Sequence, residues 1–338
     1  AFGGDPTRIT IVGESAGSMS VSILMASPLC KGLFAQAMGS SGSVVGFNKI
    51  PTLKEAEKAG EEKAKQIGCK SIAELRALPA TELMEKAAVN SVPVYNIDGY
   101  FLSAQPVDIY KNGQQMRIPL LVGGNSMEMT PAFILRGKTP TLENIKAAAS
   151  PIFGEKTDEI IKMYGLNTDA DIEGQPGVDI ASDIFIDYST WKWGNMHKLT
   201  GGQPVYRYRF CRPRPDLKLK DKVAGLAGGV QDKKGDEPQK PKVNGAVHSA
   251  DIEYAMGNLS TNRLYDWLPE DWDVSDIFQS YYVNFVKTGN PNGLGLPEWV
   301  STNGQAVPPV MQIDADTHME TNPQLEQRYQ FIDNLKWK

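Results

Sequence analysis

Gly13-Glu14-Ser15-Ala16-Gly17 sets a serine among small neighbours in the pattern G-x-S-x-G. A serine held in such a turn can attack an acyl carbonyl if a base takes its proton and amide groups receive the oxyanion. The pattern alone is weak in a chain with 32 glycines, so its context carries the reading. Ahead of it, Ile9-Thr10-Ile11-Val12 is β-branched and apolar and predicts a short buried strand. Behind it, Ser18 to Met25 predicts a helix that closes near Pro28. A strand–turn–helix leaves room only for small residues, which explains Gly13, Ala16 and Gly17. It lifts the Ser15 hydroxyl clear of the sheet and turns the helix N-terminus toward it, so the Ala16 N–H can donate to a developing oxyanion.

The base must be a histidine, and there are three. His197 sits in a Trp-rich helical stretch and reads as a packing residue. His318 lies in an acidic tail and reads as exposed. His248, in Gly245-Ala246-Val247-His248-Ser249, follows a strand at Val205 to Phe210 and is the candidate base. Its orienting acid is Glu128, just beyond the strand Ile118 to Val122 and the run Gly123-Gly124-Asn125. Asp251 and Glu253 are nearer in sequence, but nearness does not bring a carboxylate to the far nitrogen of the ring. Ser15, Glu128 and His248 follow the chain order of α/β-hydrolase triads.

The elements around these residues alternate. Ala35 to Met38 predicts a second strand, ending in Gly39-Ser40-Ser41-Gly42-Ser43. Helices are expected over Leu53 to Ile67, Ile72 to Leu78 and Thr81 to Val89. Two surface helices, Leu142 to Ala149 and Thr157 to Tyr164, precede a longer one over Ile180 to Leu199. Strands separated by helices imply an α/β protein with a mainly parallel sheet, whose ligand site lies beyond the strands' carboxyl ends. All 338 residues read as one domain, with 216–243, rich in Lys, Gly and Pro, a long mobile surface loop. Phe133, Ile134, Trp191, Trp193 and Met256 are candidate pocket walls, although apolar residues near helices are more often core.

Hydrophobic residues make up 41% of the chain, enough to bury a sizeable core and to exclude bulk disorder. The net charge, 35 basic against 40 acidic residues, is −5 and gives no basic face for nucleic acid. No uncharged apolar run reaches the ~18 residues of a membrane helix. Cys30, Cys69 and Cys211 are far apart and show no metal spacing; they read as small buried residues. The expected chemistry needs no metal and no cofactor.

These blocks resemble the type-B carboxylesterase and cholinesterase family. Gly4-Asp5-Pro6 through Ile11 with 13–17 is similar to its nucleophile signature, Gly123-Gly124-Asn125 with Glu128 to its acid block, and Gly245 to His248 to its histidine block. Tyr281 to Pro297, with Asn284-Phe285-Val286-Lys287-Thr288-Gly289-Asn290-Pro291-Asn292-Gly293, resembles its C-terminal helix and turn. The resemblance implies an α/β-hydrolase fold and hydrolysis of small-molecule carboxylic esters, short-chain or aryl, through an acyl-enzyme. It also implies that Ser41 donates to Glu128 and that Glu14 lines the site. A cysteine paired with one near Cys69 in vertebrate members is replaced by Ala80, which suggests a bacterial-style member.

One departure is large. The family has strands and a Gly-rich oxyanion loop upstream of the nucleophile, where this chain has only a few residues. The expectation is a C-terminal portion of a longer polypeptide, with the first half of the sheet and the oxyanion loop elsewhere, and the missing N-terminal segment as its partner. The apolar strand at Ile9 would then stand at an open edge. The alternatives are an inactive fragment and a non-catalytic cholinesterase-like binding module.

Overall fold

Small and β-branched residues build a short strand, β1 (Thr10–Glu14), that runs straight into α1 (Ala16–Ala26) through Ser15. β2 (Gln36–Ser40) follows. The chain is described by a computed structural model over residues 3–86, 95–226, 229–233 and 243–335. Three exposed helices come next: α2 (Leu53–Gln66), α3 (Ile72–Ala77) and α4 (Ala80–Lys86). Thr52 and Glu55 close a reciprocal cap at the start of α2. The expected helix over Thr81 to Val89 is present to Lys86, and its last three positions lie outside the described residues.

α5 (Pro106–Lys111) leads to β3 (Leu120–Asn125), buried throughout. A helical layer follows: α6 (Pro131–Leu135), α7 (Leu142–Phe153), α8 (Thr157–Met163), α9 (Gln175–Ser182) and α10 (Tyr188–Thr200). The two helices expected at the surface, α7 and α8, are amphipathic: Ile145, Ala149, Phe153 and Ile160 are buried. Between α9 and α10 the helix widens into a π turn over Asp183–Asp187, so one long helix contains an inserted residue.

β4 (Val205–Phe210) is the fourth sheet strand. The stretch read as a loop, 216–243, carries a hairpin of β5 (Lys222–Ala224) and β6 (Val230–Asp232); residues 227–228 and 234–242 lie outside the described residues. α11 (Ile252–Ala255), α12 (Pro269–Thr288), β7 (Val310–Ile313), β8 (His318–Glu320) and α13 (Pro323–Asp333) complete the chain.

The main sheet runs β1-β2-β3-β4-β7-β8, parallel up to β7, with β8 antiparallel at the end. Its register aligns the carboxyl ends: Glu14 pairs with Ser40, Ser40 with Gly123, and Asn125 with Phe210. Residues that follow each strand therefore emerge along one rim.

Alternate strand residues feed opposite faces. Leu121, Tyr206 and Tyr208 pack with Phe278, Tyr281 and Phe285 of α12. Leu120, Val122 and Val205 pack with Val21, Tyr110 and Trp193. A third cluster joins α7 to α10 and α13. β1 is not the buried strand expected: Ile9 and Val12 are 43% and 45% exposed, because β1 ends the sheet and pairs only with β2 among the described residues. Among those residues, no helix is long and apolar enough to cross a membrane.

Candidate active site

Ser15 has φ 53° and ψ −117°, a strained backbone that its N–H stabilises by donating to the Ser40 carbonyl at 2.9 Å. The tightness lies at Gly13, where a Cβ would sit 2.2 Å from the backbone of Gly17. A Cβ on Gly17 would meet nothing, so the need for glycine falls on one of the two positions and not on both. Ala16 opens α1 and is exposed, so its amide is among the first N–H groups of the helix, which have no intrahelical acceptor.

The partner residues are brought in by a register. Met127 pairs in parallel with Val247, its N–H donating to the Ala246 carbonyl at 2.8 Å. The next residue on each segment is Glu128 and His248, and they stand side by side. His248 Nδ1 lies 2.6 Å from Glu128 Oε2, and Nε2 lies 3.0 Å from Ser15 Oγ. Glu128 is fully buried, and its other oxygen accepts from the Ser41 hydroxyl and the Asn125 N–H, both at 2.5 Å. Ser41 is thus within hydrogen-bond reach of the carboxylate that the resemblance assigns it to.

Glu14 faces the opposite side of the imidazole. Its Oε1 is 3.4 Å from His248 Nε2 and 3.0 Å from the Ser249 hydroxyl oxygen. Burial pushes this carboxyl up to about 7, against the pull of His248 and with the charge of Asp251 adding to the rise. Burial works to lower the His248 pKa, but the hydrogen bond and charge of Glu128, then Glu14 and Asp251, overcome it and leave the pKa raised. Burial also raises Asp251. Its oxygens accept from Ser40, from the Tyr208 hydroxyl at 3.0 Å and from Asn125 Nδ2 at 3.2 Å, which leaves it no role at the ring nitrogen.

The other histidines are elsewhere. His197 is fully buried, with Nε2 2.8 Å from the Ile118 carbonyl at the opposite end of β3. His318 is exposed on β8. Of the candidate pocket walls, Trp191 and Trp193 are core. Ile134 packs against the third cluster, and Met256 is 49% exposed. Phe133, 47% exposed, meets Phe185 edge-on at 5.2 Å, and Phe185 meets the His248 ring edge-on at 5.1 Å. Sequence reading missed Phe185. Only the π turn aims it at the rim, and no periodicity announces such a turn.

Cys30, Cys69 and Cys211 are free thiols, the first two buried. Behind Glu128 lies a cavity of about 90 Å³ whose lining includes Gly124, Asn125, Asp183, Asp187, Arg209 and Arg328.

With this geometry in view, the chain belongs to the carboxylesterase family, whose sequence model matches residues 1–332. It is 31% identical to fumonisin B1 esterase of Sphingopyxis macrogoltabida over 327 residues, covering 88% of this chain and 52% of that protein. It is 29% identical to bile salt-activated lipase of Homo sapiens over 326 residues, covering 86% of this chain and 40% of that one. The chain spans about half the length of the curated relatives it matches. Among solved structures, a Geobacillus stearothermophilus carboxylesterase superposes with a TM-score of 0.74 at 23% identity, over all of this chain and 65% of its own. A thermophilic PNB esterase superposes at 0.71 and 23%, over 98% and 64%. The fold is that of the α/β-hydrolases.

Proposed function

We propose that this chain hydrolyses carboxylic esters through Ser15, His248 and Glu128, by way of an acyl-enzyme. The observation that carries the reading is the continuous line from Ser15 Oγ to His248 Nε2 at 3.0 Å and from Nδ1 to Glu128 at 2.6 Å. His248 removes the hydroxyl proton as Oγ attacks the ester carbonyl. Glu128 keeps the ring in the tautomer that presents a lone pair to Ser15 and stabilises the imidazolium that forms. The Ala16 N–H receives the oxyanion, the protonated His248 gives its proton to the leaving alcohol, and water activated by the same imidazole releases the acid. The substrates are short-chain or aryl esters, in keeping with relatives named as esterases and lipases.

The open edge of β1, with Ile9 and Val12 half exposed, favours a second reading of the chain by itself. In it, a further strand-bearing segment pairs with β1 and supplies the remaining oxyanion donors; without that segment the chain turns over slowly. One missing donor costs about 2.7–4 kcal/mol of transition-state stabilisation.

Turnover of p-nitrophenyl acetate and labelling by a fluorophosphonate test both. Ser15→Ala is expected to abolish each. Labelling that persists in this variant would place the nucleophile elsewhere, and wild-type protein that neither labels nor turns over would support the incomplete chain.

A further inference from the structure

The β5–β6 hairpin is tied at two places. At its base, Leu217 pairs with Tyr265, and the Lys218 N–H donates to the Leu264 carbonyl at 2.9 Å. Just past β5, the Leu226 carbonyl accepts from the Ser249 hydroxyl at 2.9 Å. An isolated two-stranded hairpin is marginal in water, so such ties decide where this one lies. The Leu226 contact is to the residue after the catalytic histidine. The same Ser249 oxygen is 3.0 Å from Glu14, which is 3.4 Å from His248 Nε2.

Ser249 itself is held in place. Its φ is +65°, a conformation that costs a non-glycine residue energy, and its carbonyl accepts from Arg214 at 2.5 Å. Arg214 is in turn paired with Glu253 and lies over the Tyr265 ring at 5.5 Å, beside the hairpin's base. The Leu226 carbonyl is linked to the imidazole through two side chains, Ser249 and Glu14, and Leu226 is left 51% exposed. Phe133 is left 47% exposed one aromatic ring away from it.

We propose that the arm of β5 that ends at Leu226, tethered by Ser249, is a specificity-determining wall of the ester site. On this view Leu226, together with Phe133 and Phe185, receives the apolar part of the substrate. The inference rests on the esterase reading and shifts its substrate class from the shortest acyl chains toward esters whose acyl or aryl group is large enough to bury these side chains. Ser249 is a positioning residue, since it acts through the arm it holds.

The test compares p-nitrophenyl acetate with p-nitrophenyl octanoate in wild type, Leu226→Ala, Ser249→Ala and Ser249→Gly. The glycine variant also removes the hydroxyl but suits the left-handed backbone, so agreement between the two Ser249 variants assigns the effect to the lost hydrogen bond. Each variant is expected to lower the octanoate-to-acetate ratio of kcat/KM by about tenfold, chiefly through KM for octanoate. A ratio unchanged in Leu226→Ala overturns the wall. A second readout needs no turnover: trypsin should cut after Lys220 and Lys222 faster in both Ser249 variants than in wild type, and equal rates overturn the tether. Wild type that hydrolyses neither ester and resists a fluorophosphonate counts against ester hydrolysis by this chain on its own, the outcome of the incomplete chain, and the trypsin rates still decide the tether.

Discussion

Among the described residues, four non-glycine positions have a left-handed φ, and three of them, Ser15, Ser41 and Ser249, touch the triad or Glu14. Serine tolerates the strain because its side chain is small, and each hydroxyl bonds to something the site needs. The charges follow the same economy. His248 is a base only when neutral, and its pKa lies above the ordinary histidine value of about 6.5. Its activity is therefore lost as pH falls through a point above 6.5. Glu14, near 7, titrates in the same window, so the acid limb belongs to the pair and not to either group alone. Glu128→Gln should lower kcat by about 10⁴-fold by disturbing the tautomer. It should also move the limb of the pH–rate profile to lower pH, because the partner that raises the His248 pKa has lost its charge. A limb unmoved by this substitution would mean that another group sets it.

At the scale of elements, the π turn between α9 and α10 does two things. It turns Phe185 toward His248, and it sets Asp183 and Asp187 in the cavity behind Glu128. Asp183 is satisfied: it accepts from Tyr164 at 2.7 Å and Tyr329 at 2.6 Å and pairs with Arg328 at 3.1 Å, which ties α13 to the turn. Asp187 is held well above the usual carboxylate range by burial, then by the charges of Glu128 and Asp183, with Arg209 opposing. Such a group favours the folded state fully below the unfolded pKa, about 3.9, and that contribution is lost as pH rises toward the folded pKa. Asp187→Asn should therefore stabilise the protein by about 1 kcal/mol at pH 7, with the gain shrinking toward pH 4. Urea midpoints at the two pH values check this. An equal gain at both would point to packing instead of protonation.

At the scale of the whole molecule, the sheet's two ends differ. Among the described residues, β8 ends it as a short antiparallel strand and β1 ends it as a parallel strand with Val12 half exposed. Unpaired apolar edges associate with one another. Val12→Lys should reduce the concentration-dependent self-association of this chain, read by light scattering, with little change in its thermal midpoint, since Val12 is outside all three core clusters. Undiminished association in the variant would place the sticky surface elsewhere, for example at Val283 and Val286 of α12, which are about 40% exposed.

The sequence by itself singled out Ser15 and its turn, and proposed Glu128 and His248 as its partners in chain order. These depend on local rules: a tight strand–turn–helix demands glycine at position 13, and a serine nucleophile demands a histidine and an acid beyond later strands. It also determined strands β1 to β4, which are short apolar runs, but not that β1 ends the sheet half exposed. Tertiary structure decided the rest. Nothing local pairs Met127 with Val247, yet that one register, made by segments 120 residues apart, sets Glu128 against His248. The inserted residue in the long helix, the hairpin within a Lys-rich stretch and the buried partners of Asp251 likewise arise only when distant surfaces meet, because a side chain's neighbours, and with them its charge and its access to substrate, are set by packing and not by sequence spacing.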